Sequence, residues 1–284
     1  MPQPSNQQAV GFGQRLVEAG RQRGRLCVGI DPHAHLLEAW GLSNDVDGLR
    51  SFTMTCVEAF ADSAALVKPQ VAFFERFGSR GFAVLEEALA GLRELGCLTL
   101  ADAKRGDIGS TMAGYAEAWL GESSPLRADS VTVSPYLGVG ALAPVFKEAE
   151  RNSAGVFVLA ATSNPEAREL QSVRDSSRRS IAQSVVDACA GYNRGSADKP
   201  AGVGGDIGVV VGATLAEPPR LDELNGPVLL PGVGAQGASA QDVRAITAAA
   251  PELGFANVSR GILKQGPRVA DLRDAVKRAA EELS

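Results

Sequence analysis

Cysteine and histidine are scarce in this sequence, and each shortage argues against a class of site. The four cysteines are Cys27, Cys56, Cys97 and Cys189, and no two of them form a Cys-x-x-Cys pair. This argues against a disulfide framework or a zinc site, and we expect buried free thiols in a reducing cytoplasm. The only histidines lie at positions 33 and 35, with no third metal ligand evident, which favours a solvated loop over a metal site.

Long apolar runs and a basic charge excess are also lacking. No uninterrupted apolar stretch reaches the length of about 18 residues that a membrane span needs, so we expect no membrane partner. The net charge of -5 argues against a broad nucleic-acid interface. Residues 1–10 have neither a charged start nor an apolar core, which predicts a disordered lead and not a signal peptide.

What the sequence does contain is a recurring short apolar run, followed by turn residues and often by a helical pattern. The 284 residues are 45% hydrophobic, enough for one large core. The apolar runs are continuous, as in parallel strands covered on both faces. They are Leu26–Ile30, Ala65–Lys68, Leu98–Ala101, Ser130–Val133, Val156–Ala160, Ile207–Val211, Val228–Leu230 and Phe255–Val258. Their number predicts an α/β fold, a single-domain (β/α)8 TIM barrel over residues 11–284, with an open doubly wound sheet as the alternative.

One stretch fits this alternation poorly. Residues 169–206 begin as a polar helix and end in a segment rich in Gly, Ser and Ala. We expect a polar surface insertion between the fifth and sixth strands, either a mobile lid or an ordinary loop.

Polar residues follow the predicted strands directly. In such a barrel the active site is built where strands end and the following loops begin. The residues at these positions are Asp31, Lys68, Asp102, Lys104, Ser134, Thr162, Ser163, Gln236 and Arg260. Their shared position indicates one site at the barrel mouth.

The densest of these clusters is Asp102-Ala-Lys104-Arg-Gly-Asp107 after the third run. Asp102 and Lys104 are two residues apart, so an extended backbone would point both side chains to the same side. Two charged side chains on the inner face of a strand are expected to form an ion pair, because an unpaired buried charge is costly. A purely structural ion pair at the rim is one interpretation. Lys68 at the end of the neighbouring strand, with Asp107 nearby, favours a functional charge network.

Such a network suits chemistry that develops negative charge. Neighbouring carboxylates favour the charged form of Lys104, and a protonated lysine is a poor Schiff-base nucleophile. It is a good stabiliser of a carbanion and a good proton donor to it. If Asp102 faced a substrate carboxylate, the two negative groups would repel each other until the substrate group left as CO2. Stabilisation of the carbanion by a preplaced Lys104 is the main contribution we expect.

The loops after the seventh and eighth runs predict a phosphate site. Gly232, Gly234 and Gln236 follow one run, and Arg260 follows the other. Glycine lets backbone N–H groups approach phosphate oxygens, and arginine supplies a fork of donors. The spacing Gly232-x-Gly234-x-x-Gly237 also matches a dinucleotide fingerprint. No acidic residue ends the next strand, so we expect no nicotinamide cofactor.

With these residues placed, the sequence resembles the orotidine 5′-phosphate decarboxylase family, specifically its longer bacterial subgroup. The resemblance covers essentially the whole chain. Its most specific element is Asp102-Ala-Lys104-Arg-Gly-Asp107-Ile, which is similar to the family's D-x-K-x-x-D-I signature, and Asp31-Pro and Lys68-Pro match further positions in order.

The resemblance implies a role for each matching residue and implies no cofactor and no metal. Lys104 would protonate C6 of the pyrimidine beside Asp102, and Lys68 and Asp31 would hold ribose hydroxyls. Gln236 and Arg260 would bind phosphate. Either Ser163 or the adjacent Thr162 would recognise the pyrimidine ring, with Ser163 preferred. Asp107, Ile108 and Thr111 would come from the partner subunit of a homodimer with shared sites.

Two other functions remain open from the residues alone. One is a related barrel acting on a sugar phosphate, either a metal-dependent decarboxylase or an epimerase; two lysines flanking Asp102 argue against it, because they compete with a metal for the carboxylate. The other is a non-catalytic nucleotide or phosphate sensor on an enzyme scaffold. A mere binder has no reason to retain closely packed like charges.

Overall fold

Eight parallel strands close into a barrel in chain order, each pairing with the next and β8 pairing with β1. The computed structural model describes residues 10–195, 204–234 and 237–283. The strands are β1 Leu26–Ile30, β2 Leu66–Pro69, β3 Leu98–Arg105, β4 Ser130–Val133, β5 Gly155–Ala161, β6 Ile207–Val211, β7 Val228–Pro231 and β8 Gly254–Val258. The predicted (β/α)8 barrel is confirmed, and the open-sheet alternative is wrong.

Helices surround this barrel and cover its outer face. They are α1 Phe12–Arg23, α2 Ala34–Ala39, α3 Val46–Phe60, α4 Ala72–Glu75, α5 Gly78–Glu94, α6 Gly109–Leu120, α7 Ala143–Arg151, α8 Arg168–Gln171, α9 Ile181–Gly195, α10 Ala240–Ile246, α11 Arg260–Leu263 and α12 Val269–Glu282. The alternation fails once, because residues 212–227 between β6 and β7 contain turns and no helix. Two prolines in tandem, Pro218 and Pro219, lie in this connection and disfavour a helix there.

The strands have apolar residues on both faces, and each face packs against a different partner. Outward-facing residues such as Val28 and Val67 pack under the helices in the larger apolar cluster. Inward-facing residues such as Leu66 and Leu100 fill the lower interior of the barrel in a second cluster. Side chains alternate along a strand, so the next inward positions of β2 and β3 are Lys68 and Asp102. The barrel interior therefore changes from apolar to charged within one step along these strands.

Helix α1 covers the amino-terminal end of the barrel. Phe12 and Leu16 are fully buried and belong to the inner cluster. The Phe12 ring meets the Phe157 ring edge-on, with 6.0 Å between centroids. The helix is held in place by an ion pair of 2.8 Å between Arg15 and Asp129. The barrel is therefore filled at the end opposite the predicted site.

Helix α9 lies inside the range predicted to be a polar insertion. Its buried residues, including Val186 and Cys189, pack against the outer cluster. This is the connecting helix that the barrel requires between β5 and β6, and the extra polar residues precede it. There Asp175 closes a tight turn, accepting from the N–H groups of Ser177 and Arg179 through Oδ1. The predicted N-terminal lead, apart from residue 10, and residues 196–203 lie outside the described residues.

All four cysteines are buried free thiols, as predicted. Burial raises the pKa of Cys97 and of Cys189 to about 12, so both remain protonated at neutral pH. None of the helices in the described part of the chain has the length and apolarity that crossing a bilayer requires.

Candidate active site

The Asp102 carboxylate lies at the centre of the barrel mouth and accepts four hydrogen bonds. Oδ1 accepts from Lys104 Nζ at 2.5 Å and from Thr132 Oγ1 at 2.9 Å. Oδ2 accepts from Lys68 Nζ at 2.9 Å and from Gln70 Nε2 at 2.7 Å. Four donors, two of them cationic, fix the carboxylate in one orientation. The predicted contact between Asp102 and the two lysines is therefore present.

The electrostatics of the network keep its charges in place. Burial is the largest influence on Asp102 and alone would raise its pKa, but Lys68 and Lys104 outweigh burial and hold the pKa below its ordinary value. Burial likewise would lower the pKa of Lys68, but Asp102 and Asp31 outweigh it and raise that pKa above the ordinary value. The buried pair is thus ionised at neutral pH.

The two lysines differ in exposure. The Lys68 side chain is 4% exposed and is enclosed by carboxylates, whereas the Lys104 side chain is 45% exposed at the open mouth. Only Lys104 therefore combines a fixed partner with direct access to a molecule entering the barrel.

The backbone at Lys104 departs from the extended strand that the sequence suggested. Its φ angle is +50°, in the left-handed region. The pairing with β4 moves from Ala101–Val131 to Arg105–Val133, so three residues of β3 lie opposite one residue of β4. Lys104 reaches Asp102 through this bulge and not through simple alternation. A non-glycine residue in this region is strained by about 1 kcal/mol or more, which other contacts must offset.

Asp31 follows β1 and faces Lys68, with 3.9 Å between Oδ1 and Nζ. Its Oδ1 is buried and has no hydrogen-bond partner among the described residues. The backbone here is closely packed: a Cβ on Gly29 would lie 1.9 Å from Ser259 Oγ and 3.0 Å from Asp31 Oδ1. Glycine at position 29 thus allows β1 and the end of β8 to hold Asp31 at the mouth.

Thr162 and Ser163 follow β5, where the strand ends at the barrel mouth. The Thr162 hydroxyl donates to Asn164 Oδ1 at 2.7 Å and accepts from Gln171 Nε2 at 3.1 Å. Its N–H donates to Gln171 Oε1 at 2.8 Å. Thr162 is therefore committed to holding the loop in shape, while the half-buried Ser163 comes next along the chain at the strand end.

The predicted phosphate loops follow β7 and β8. Gly232 and Gly234 have φ angles of +106° and +70°, which only glycine adopts without strain. The Gly234 N–H donates to Ala238 O at 2.9 Å, so this group closes the turn. Arg260 is exposed at the start of α11, and its guanidinium has no ion pair with any described residue. Gln236 lies outside the described residues.

Within the described part of this chain, neither Asp107 nor Thr111 forms a hydrogen bond or ion pair with Asp102, Lys68 or Lys104. Asp107 Oδ1 accepts from the N–H of Ile108 at 2.8 Å, and Thr111 is exposed on the first turns of α6. Ile108, next to Asp107 in the chain, is 61% exposed, and Tyr136, in the loop after β4, is 78% exposed. The single chain brings together Lys68, Asp102 and Lys104 but not Asp107 or Thr111.

Comparison with known proteins identifies the group to which this barrel belongs. Residues 24–275 match the family described as Orotidine 5′-phosphate decarboxylase / HUMPS. The chain belongs to the orotidine 5′-phosphate decarboxylase family. It is 61% identical over 271 residues to the orotidine 5′-phosphate decarboxylase of Corynebacterium efficiens, covering 95% of this chain and 96% of that protein. The chain is therefore an enzyme, a carboxy-lyase.

Further relatives agree. The orotidine 5′-phosphate decarboxylase of Salinispora arenicola is 54% identical over 268 residues, covering 94% of this chain and 95% of that protein. A crystal structure from Streptomyces avermitilis that carries the family name superposes with a TM-score of 0.91 at 49% identity, covering 100% of this chain and 98% of the other. The Leishmania donovani OMP decarboxylase gives a TM-score of 0.75 at 31% identity, covering 96% and 98%.

Sequence reasoning missed two members of the network in this decarboxylase-family barrel, Gln70 and Thr132. Both carried a usable signal. Thr132 is an inward polar position on β4, two residues after Ser130 in a strand whose other residues are valine. Gln70 lies two residues beyond Lys68, so alternation points it to the same side. Among the described residues, no group of three or more His, Cys, Asp or Glu side chains is arranged to hold a metal ion.

Proposed function

We propose that this enzyme converts orotidine 5′-monophosphate to UMP and CO2 without a cofactor, in pyrimidine biosynthesis. The observation that carries the proposal is the exposed Lys104 ammonium held against the buried carboxylate of Asp102, with Lys68 on its other side. This places a fixed cation at the barrel mouth where a substrate carbon can develop negative charge. Four buried free thiols fit a reducing, cytoplasmic location.

In the proposed reaction, the substrate carboxylate on C6 lies beside Asp102. The bond between C6 and the carboxylate breaks, its electron pair stays on C6, and neutral CO2 leaves. Lys104 Nζ stabilises the carbanion and then gives it a proton, so that C6 gains the hydrogen of UMP. Lys68 keeps Asp102 ionised throughout, because its charge opposes the effect of burial.

The rest of the nucleotide would occupy the other loops of the mouth. A ribose hydroxyl would satisfy the unpartnered Oδ1 of Asp31, with Lys68 holding a second hydroxyl. Arg260 and Gln236 would bind the phosphate, with Gly232 and Gly234 shaping the loop around it. Ser163 would recognise the pyrimidine, because it lies half-buried just beyond the end of β5 at the mouth.

We propose a homodimer in which each active site is completed by the partner. Asp107, Ile108 and Thr111 lie on one surface and do not contact the Asp102 network of their own chain. The exposed apolar side chains of Ile108 and Tyr136 would gain from burial in an interface. Asp107 would then carry a second carboxylate to the lysine of the neighbouring chain.

A metal-dependent reaction on a sugar phosphate fits the site less well. A divalent cation prefers several oxygen ligands, but both oxygens of Asp102 are already occupied by Lys68, Lys104, Gln70 and Thr132. Binding a metal there would require breaking these contacts and bringing like charges together.

The decisive experiment follows the orotate absorbance of orotidine 5′-monophosphate with purified enzyme in excess chelator. We expect complete conversion at a rate that chelation does not change, since every proposed step uses protein side chains. The control is the same assay with added magnesium. The proposal is contradicted if the enzyme is inactive in chelator and magnesium restores its activity. It is also contradicted if the enzyme converts a pentose or hexulose phosphate instead.

Mixing two inactive variants tests the shared site. Asp107→Ala and Lys104→Ala homodimers should each be inactive. Mixing them should restore up to about one quarter of the activity of the same total concentration of wild-type enzyme. The reason is that random exchange makes half the dimers hybrid, and one site of each hybrid has intact residues from both chains. Subunit exchange is verified by mixing differently tagged chains. No recovery after verified exchange would show that Asp107 does not act across an interface.

A further inference from the structure

Thr132 occupies an unusual position between the two charged residues of the candidate site. It lies on β4, is 1% exposed, and its hydroxyl makes two hydrogen bonds. Oγ1 accepts from the backbone N–H of Lys104 at 2.9 Å and donates to Asp102 Oδ1 at 2.9 Å. One hydroxyl therefore joins the backbone of the proposed proton donor to the carboxylate beside it.

The bulge in β3 makes this contact necessary. Residues 102–104 lie opposite Thr132 alone, so the strand ladder offers Lys104 no regular partner. Thr132 Oγ1 accepts from the partly buried Lys104 N–H, which would otherwise lack a protein partner in the ladder. Because the same hydroxyl has one hydrogen to give, its donation to Asp102 fixes the direction of that hydrogen bond as well.

We propose that Thr132 is a positioning residue for the decarboxylation, acting through Lys104 and Asp102. Its hydroxyl holds Lys104 in the left-handed conformation, φ +50°, that brings Nζ back onto Asp102 Oδ1. Without the hydroxyl, Lys104 can relax toward an extended backbone, and its ammonium leaves the place where the carbanion forms. This inference rests on the proposed function, because it concerns the same reaction.

The test compares Thr132→Val, which keeps the side-chain shape, with Thr132→Ser, which keeps the hydroxyl. Thr132→Val should lower kcat by about 10-fold to 100-fold, because it removes both the acceptor of the Lys104 N–H and a buried donor to Asp102. Thr132→Ser should stay within about threefold of wild type. Affinity for UMP, measured by calorimetry, should change less than about threefold in both, because UMP has no carboxylate at C6 and undergoes no proton transfer.

Thr99 provides a matched control on the neighbouring strand β3. It is also 1% exposed, donates through Oγ1 to Asp129 Oδ2 at 3.0 Å, and accepts from the N–H of Asp129 at 2.9 Å. Thr99→Val therefore removes the same type of double contact away from the mouth. We expect its thermal unfolding midpoint to fall about as far as that of Thr132→Val, with kcat unchanged.

The outcomes separate the inference from the proposed function. If wild-type enzyme does not decarboxylate orotidine 5′-monophosphate, the proposed function fails. If wild type is active, the inference is overturned by a normal kcat in Thr132→Val, by an equal loss in Thr132→Ser, or by a UMP affinity that falls in parallel with kcat. Should Thr132→Val not fold, Thr132→Ala takes its place with the same expected split between kcat and UMP affinity.

Discussion

Replacing Lys104 by alanine should reduce kcat by at least about 10⁴-fold while the enzyme still binds UMP. General acid catalysis contributes roughly 10²-fold to 10⁴-fold and a preplaced charge contributes roughly 10²-fold to 10³-fold, and Lys104 would supply both. The fold should tolerate the change, since the Lys104 side chain is 45% exposed and Asp102 keeps its contact with Lys68. Single-turnover loss of orotate absorbance and calorimetric binding of UMP measure the two quantities separately.

Lys277→Ala serves as the control for loss of one positive charge. Lys277 is exposed on α12, outside the barrel mouth, so its removal should leave kcat unchanged. A Lys104→Ala enzyme with wild-type turnover would eliminate this lysine as the proton donor. An equal loss of kcat in Lys104→Ala and Lys277→Ala would show that net charge matters, and not the position of the Lys104 ammonium.

Replacing Asp102 by alanine should destabilise the protein by about 3–5 kcal/mol as well as inactivate it. The change removes the partner of Lys68 at 2.9 Å and leaves Asp31, at 3.9 Å, as its remaining ion-pair partner among the described residues. Removing one partner of a buried ion pair costs about this much. The pKa of Asp102 is depressed, so its stabilisation is present above the ordinary aspartate pKa; that of Lys68 is raised, so its stabilisation is present below the ordinary lysine pKa. Urea unfolding near pH 7 therefore measures the full effect.

A second substitution identifies the cause of that instability. Adding Lys68→Met to Asp102→Ala removes the stranded charge and should recover at least about half of the lost unfolding free energy, with no return of activity. Glu281→Ala, at an exposed position on α12, should change stability by less than about 0.5 kcal/mol. A double variant no more stable than Asp102→Ala would mean that the unpaired Lys68 charge is not what destabilises it.

Much of the barrel could be predicted from sequence because its strands are buried on both faces. A continuous run such as Ile207–Val211 is rare outside a parallel strand covered by helices, and all eight predicted runs overlap observed strands. The core of the site was predictable for a related reason: on β2 and β3, Lys68 and Asp102 each follow an inward apolar residue, Leu66 and Leu100. Alternation alone places these two side chains together.

The remaining features depend on tertiary contacts that local sequence does not encode. The bulge at Lys104 arises from pairing with β4, so an extended strand was a reasonable but wrong premise for its contact with Asp102. A helix within residues 169–206 was expected and is present as α9, but its role as the barrel helix between β5 and β6 depends on how it packs against distant segments. The hydrogen bonds that Gln70 and Thr132 donate to Asp102 were missed, because a single polar residue near a strand end is also common in ordinary loops and strands.

The filled amino-terminal end of the barrel has a consequence for how substrate enters and products leave. Phe12 and Leu16 of α1 fill the amino-terminal end of the barrel, opposite the mouth. Because apolar side chains of the described residues fill that end, nucleotide and carbon dioxide would both pass through the mouth. A single opening for both products would couple the release of carbon dioxide to the release of UMP.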